Sequence, residues 1–361
     1  MPHIASRILI GLLSVASAFG ADAVFTGVER VVAVGDVHGD YNAFLAVLRA
    51  AGVIDQKSKW IGGKTHLVQT GDVLDRGADS RKVMDLLIDL EKQAPKAGGR
   101  VHTLIGNHEA MNLYGDLRYV VPGEYSAFRS GDSANIRTAF WEEEIKSLPS
   151  PPDDAARRKW EEDHPLGWFE HRLAFGPKGN YGKWIRSHNV IVKINDAIYL
   201  HGGISPRYAD TPFQQLNSLI AAELADLSKL KDGSPLTGED GPLWYRGLAE
   251  GGPELVDHVE RVLATNGVQR IVIGHTPTAG AIIPRFNGKV IQIDVGLSAY
   301  YGSHPACLVR EGDKLFAIHR GEKIPLPSGG PELIAYLKRV VALEPPGSLL
   351  AKYLAEVERG R

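Results

Sequence analysis

At 361 residues the chain has room for one large α/β domain with insertions, or for roughly two domains of about 150 residues. Its 43% hydrophobic and 23% charged residues exclude a disordered, collagen-like or multi-span membrane chain, and 41 basic against 43 acidic residues exclude a global positive field for nucleic acid or an anionic membrane. The single cysteine, Cys307, excludes an internal disulfide and a thiolate zinc cluster, while 40 glycines exceed the usual share of about 7%.

The N-terminus reads as a secretory signal peptide over residues 1–18, ending at the latest by 23. Arg7 supplies the positive start, Ile8 to Phe19 the short apolar run, and Ala16-Ser17-Ala18 the cleavage site. The run is shorter than the roughly 20 residues a spanning helix needs, so a periplasmic or secreted protein with no membrane span after cleavage is expected. An uncleaved anchor is the alternative.

From Val28 on, β-rich runs alternate with amphipathic stretches, the pattern of an α/β domain, here over about 28–320. Strands are predicted at Arg30 to Val34, His66 to Thr70 and Val101 to Ile105, with helices over Tyr41 to Ala51 and Asp79 to Glu91. An insertion at about 119–185 is charged and aromatic and holds Trp141, Trp160, Trp168 and Trp184. It reads either as helices anchored by their own large aromatics or as a cap walling a cleft. Strands resume at Val190 to Ile194 and Ala197 to Leu200 around an Asn195-Asp196 turn, then at Arg270 to Ile273, Lys289 to Ile293, Ala306 to Val309 and Lys314 to His319. Residues 321–361 hold two helices split by Pro345-Pro346.

One arrangement recurs five times: an apolar run ends beside a glycine and a side chain able to bind a metal. The donors are Asp36 and His38 after Gly35, Asp72 after Gly71, Asn107 after Gly106, His201 before Gly202, and His275 after Gly274. In open α/β sheets ligands bind beyond the carboxyl ends of strands, so these ends converge. Glycine suits such turns because it tolerates positive φ and close backbone approach. Six oxygen and imidazole donors without sulfur suit manganese, iron or zinc, and are too many for one tetrahedral ion, so two ions with a shared carboxylate are expected.

The order Gly35-Asp36-Val37-His38-Gly39, Gly71-Asp72-Val73-Leu74-Asp75-Arg76-Gly77, Gly106-Asn107-His108-Glu109, His201-Gly202-Gly203 and Gly274-His275 resembles the metallophosphoesterase pattern of the phosphoprotein phosphatase family. That resemblance implies an α/β four-layer sandwich, two mixed β-sheets flanked by helices, with a helical insertion. It implies one metal on Asp36, His38 and Asp72, and a second on Asp72, Asn107, His201 and His275, manganese being the leading choice. A bridging hydroxide would attack phosphorus in line, His108 would protonate the leaving oxygen with Asp75 as its carboxylate partner, and Arg76 would grip the phosphoryl oxygens. Arg246, in Leu243-Trp244-Tyr245-Arg246-Gly247, is the candidate second phosphate-binding arginine, ahead of Arg118, Arg186 and Arg207.

The first motif departs from the eukaryotic Ser/Thr enzymes in ending at Asp40, and Asp294-Val295-Gly296-Leu297-Ser298 stands where they carry another element. With Trp244-Tyr245-Arg246-Gly247 and the leader, the chain is similar to the Shewanella-like phosphatase subgroup, in which some members prefer phosphotyrosine. The function expected is hydrolysis of phosphomonoesters on a phosphoprotein or phosphopeptide. A symmetrical diadenosine tetraphosphate hydrolase is the alternative enzyme, and a catalytically dead binding module the alternative from another class.

Overall fold

Each β-branched run becomes a strand where apolar neighbours cover both of its faces, and the strands are short because each feeds a loop. The computed structural model describes residues 22–360, so the expected signal peptide at 1–18 lies outside the described residues. The strands are β1 (Val24–Phe25), β2 (Arg30–Val34), β3 (His66–Gln69), β4 (Arg100–Thr103), β5 (Ile191–Ile194), β6 (Ala197–Leu200), β7 (Arg270–Ile273), β8 (Ile283–Arg285), β9 (Val290–Gln292), β10 (Ala306–Glu311), β11 (Lys314–His319) and β12 (Glu322–Pro325). They form two mixed sheets in the orders β1-β5-β6-β7-β9-β8 and β12-β11-β10-β2-β3-β4, flanked by helices in an α/β fold.

In the second sheet β2, β3 and β4 run parallel, registering Val32 with Leu67 and Leu67 with Val101. Parallel neighbours require crossovers, which the helices Tyr41–Ala50 and Ser80–Gln93 supply. The first is capped by the Asp40 carboxylate, which accepts from the Ala43 amide, and buries Phe44, Leu45, Val47 and Leu48. In the first sheet β6, β7 and β9 are parallel, so their carboxyl ends point the same way. One apolar core joins Val32 and Val68 to Ile198, Val272 and Ile291.

The predicted strands stand at their places, with β5 and β6 closing antiparallel across Asn195, at φ 55°. The third predicted strand stops two residues early because Ile105 donates its amide to the Asn189 carbonyl rather than extending along β3. Strands β1, β8 and β12 and the helices Phe213–Ala225 and Val256–Asn266 were not expected; the strands are only two to four residues long, too short to show a period. The insertion holds five helices between Pro122 and Arg186. Phe140 stacks on Phe169 at 4.0 Å and Trp141 lies 5.2 Å from Trp160, so these aromatics pack on one another.

The two sheets meet at Gly35. A Cβ there would lie 2.5 Å from the Ile293 carbonyl oxygen and 2.9 Å from the Asp294 Cα, so only hydrogen lets the end of β2 pass the end of β9. Gly35→Ala is therefore expected to cost about 1–3 kcal/mol as overpacking, read as a lower urea midpoint at unchanged m.

Candidate active site

Beyond the carboxyl ends of five strands the chain turns at once, and all six expected metal donors follow those ends within four residues: Asp36 and His38 after β2, Asp72 after β3, Asn107 after β4, His201 after β6 and His275 after β7. Turning so tightly while facing inward forces the backbone into the left-handed region. His38, Asp72, Asp75, Arg76 and His275 all have φ between 45° and 67°. Non-glycine residues rarely adopt it, at a cost of about 1–3 kcal/mol each, and such outliers gather where function requires them.

The three histidines share one construction. His38 donates from Nδ1 to the Leu74 carbonyl (2.9 Å), His201 from Nδ1 to the Thr70 carbonyl (2.9 Å), and His275 from Nε2 to the Trp244 carbonyl (3.1 Å). A carbonyl only accepts, so in each neutral ring the other nitrogen carries a lone pair. Those lone pairs face other acceptors: His201 Nε2 lies 2.9 Å from Asn107 Oδ1, 3.1 Å from His275 Nδ1 and 3.3 Å from Asp72 Oδ2. His38 Nε2 lies 3.9 Å from Asp36 Oδ2 and 3.8 Å from Asp72 Oδ2. Acceptors packed together without a proton between them call for a cation. Asp72 belongs to both clusters, the place of a carboxylate shared by two ions.

Electrostatics agree. Burial pushes His38 down to about 3, and burial with His201 and Arg246 holds His275 well below the usual histidine range, so both rings are neutral ligands at neutral pH. Burial and the charges of Asp294 and Asp72 raise Asp36 well above a normal carboxylate. Burial lifts Asp294 to about 6, and its Oδ2 is buried without a hydrogen-bond partner. Three carboxylates packed this way want positive charge among them. The residues thus fit two divalent ions.

His108 is built differently. Its Nδ1 meets a carboxylate, Asp75 Oδ2, at 2.5 Å, and its Nε2 lies 3.7 Å from Asp72 Oδ2. Burial works against its charge, but Asp72 and Asp75 outweigh burial and raise its pKa. Its ring is thus arranged to keep a proton, where the other three present a lone pair. Asp75 is held in turn, its Oδ1 accepting from Asn112 Nδ2 (3.0 Å) and its amide donating to Glu124 (3.4 Å).

Of the arginines, Arg76 follows Asp75, the partner of His108, on the loop after β3, and Arg246 donates to the carbonyl of His275 (2.8 Å) and to Thr276 Oγ1 (3.0 Å). The competitors are engaged elsewhere: Arg118 with Asp116, Arg186 with the Gly182 and Leu224 carbonyls, Arg207 with Gly233.

Two sheets whose strand ends present a shared carboxylate, amide and imidazole acceptors, with a proton donor and two arginines beside them, define a metallophosphoesterase. The chain belongs to the calcineurin-like phosphoesterase family, which residues 29–279 match. It is 35% identical to an uncharacterized protein of Schizosaccharomyces pombe over 82% of each chain. It is 30% identical to Shewanella-like protein phosphatase 2 of Arabidopsis thaliana, over 75% of this chain and 72% of that one. Among solved structures it resembles the cold-active protein-tyrosine phosphatase of a psychrophilic Shewanella, with a TM-score of 0.66 and 31% identity, covering 85% of this chain and 83% of the other.

Several site residues carried no assigned role in the sequence. Asp294 follows β9 as the other donors follow their strands, but without a glycine before it. Asp40, marked only as a departure, has a purpose: Oδ1 caps its helix and Oδ2 accepts from the Ala299 amide (3.0 Å). Glu109 closed the third motif with no role of its own. Its buried carboxylate accepts from the amides of Asp72 (2.8 Å), Val73 (2.9 Å) and Gly106 (2.7 Å), fastening two ligand loops together. Burial and Asp72 raise it to about 7. Because Glu109→Ala strands three buried donors, it is expected to cost about 3–5 kcal/mol in equilibrium denaturation, well beyond a typical point change.

Proposed function

We propose that the protein is a two-metal phosphomonoester hydrolase whose substrate is a phosphoprotein, with Asp36, His38 and Asp72 holding one ion and Asp72, Asn107, His201 and His275 the other. The observation that carries this reading is the Asp75-backed His108 beside acceptors that need cations, with Arg76 and Arg246 near the same cluster. Two bound divalent ions supply an acidified water and neutralise phosphoryl charge. Arg76 and Arg246 grip the phosphoryl oxygens with guanidinium N–H groups. His108 Nε2 gives its proton to the leaving oxygen, and Asp75 holds the ring in the donating state.

Oxygen and imidazole donors without sulfur favour manganese, with iron and zinc as alternatives. The leader's apolar run and Ala16-Ser17-Ala18 support a periplasmic or secreted location. The protein phosphatases among the relatives support phosphoprotein over dinucleotide as substrate.

Turnover of phosphotyrosine, phosphoserine and phosphothreonine peptides by manganese-reconstituted protein is expected to exceed turnover of diadenosine tetraphosphate; a dinucleotide rate higher by orders of magnitude overturns the reading. In the same assay Asp72→Asn and His108→Asn are expected to lose activity, His108→Asn by about 10²–10⁴-fold in kcat. The rate falls as pH rises through the His108 pKa, because the deprotonated ring has nothing to donate. Asp75→Asn removes a group that raises that pKa, so the descending limb of its kcat profile is expected to move to lower pH.

A further inference from the structure

Arg76 has unusual company. Its guanidinium carbon lies 4.6 Å from the ring centre of Tyr119, 5.0 Å from Tyr300 and 5.2 Å from Tyr301. Among the described residues no Asp or Glu forms an ion pair with it, and its Nε is buried without a hydrogen-bond partner. The rings come from two distant segments, the start of the insertion and the loop after β9. Each segment is tied to the metal-ligand loops: the Tyr119 carbonyl accepts from the Arg76 amide (3.1 Å), and Asp40 accepts from Ala299. Tyr119 also lies against His108 at 5.0 Å and Tyr301 against His38 at 5.4 Å. These are not core residues, since Tyr300 is 63% and Tyr119 37% exposed.

We propose that Tyr119, Tyr300 and Tyr301 form an aromatic cage that positions Arg76 for an incoming phosphoryl group. The reason for rings in place of a carboxylate is chemical. A carboxylate partner would occupy the in-plane N–H fork that phosphate needs, and would have to be displaced by each substrate. Ring faces attract the cation from above and below and leave that fork free. The left-handed backbone at Arg76 (φ 65°) points the side chain into the cage. The tyrosines act through Arg76 and are positioning residues.

The inference rests on the reading of Arg76 as a phosphate-binding residue, and its test separates the two. The probe is inorganic phosphate, measured as a competitive inhibitor of aryl phosphate turnover and by calorimetric titration of the manganese-loaded protein. Arg76→Ala is the reference. Y300A/Y301A is expected to weaken phosphate about tenfold, toward the Arg76→Ala value, and to add nothing in the Arg76→Ala background. Y300F/Y301F, which keeps the ring faces, is expected to stay within about twofold of the unaltered protein. Should the double Ala variant not fold, Y300A alone, whose ring is largely exposed, is expected to show part of the same loss at unchanged Tm and metal content. If Arg76→Ala leaves phosphate affinity unchanged, the phosphate-binding reading fails. If Arg76→Ala weakens it but the Ala variants do not, or the Phe variant falls as far as the Ala variant, the cage fails.

Discussion

Lone pairs pressed against lone pairs are the constraint on which the rest of the molecule depends. The buried acceptors of Asp36, His38, Asp72, Asn107, His201 and His275 crowd one another and are held in place by backbones fixed from outside. The glycine excess follows from this. A Cβ at Gly106 would strike Asp72 Oδ1 at 2.2 Å, and one at Gly274 would strike Asp36 Oδ1 at 2.5 Å, so these glycines are the clearances through which the ligand loops approach. The left-handed residues and the three amides collected by Glu109 serve the same end. A core spanning both sheets makes such local strain affordable.

Within that frame, histidine performs two tasks, and the partner of its far nitrogen decides which. Where that partner is a carbonyl, as for His38, His201 and His275, the far nitrogen carries the ring hydrogen and the near one is left to present a lone pair. Where it is a carboxylate, as for His108, the ring keeps its proton. The two kinds stand side by side, His38 and His108 with ring centres 4.8 Å apart. Their protonation diverges because burial, helped by the charge of His108, lowers His38, while Asp72 and Asp75 raise His108 against its burial.

The six candidate donors that the fold brings together were legible because each sits next to a glycine at the end of an apolar run, a local pattern that needs no knowledge of the fold. Asp294 breaks that pattern and escaped. Glu109 was visible only as a motif residue without a role, since its amide partners at Asp72 and Val73 lie far away in the chain. The cage residues left no signal at all: position 119 marked only the start of the insertion, Tyr300 and Tyr301 stood in no motif, and only tertiary packing brings them to Arg76. The apolar β-branched runs that became β2 to β7 and β9 to β11 were placed well, whereas β1, β8 and β12 owe their existence to neighbours they pair with rather than to their own composition. Trp141, Trp160 and Trp168 of the insertion pack within one aromatic cluster with His164 and Phe169, Trp184 instead binds Glu91, and the insertion's first residues, Tyr119 and Glu124, reach the site.

The pairing of β2 with β10 also governs when the site comes into being. Val32 registers with Val309, so the strand that delivers Asp36 and His38 lies between β3 and a strand from the far end of the chain. Such remote pairing makes assembly slow and late, because nearly the whole polypeptide must be available before this sheet is complete. A chain that still lacks β10 therefore already holds all six donors, the last of them His275, without the framework that gathers them.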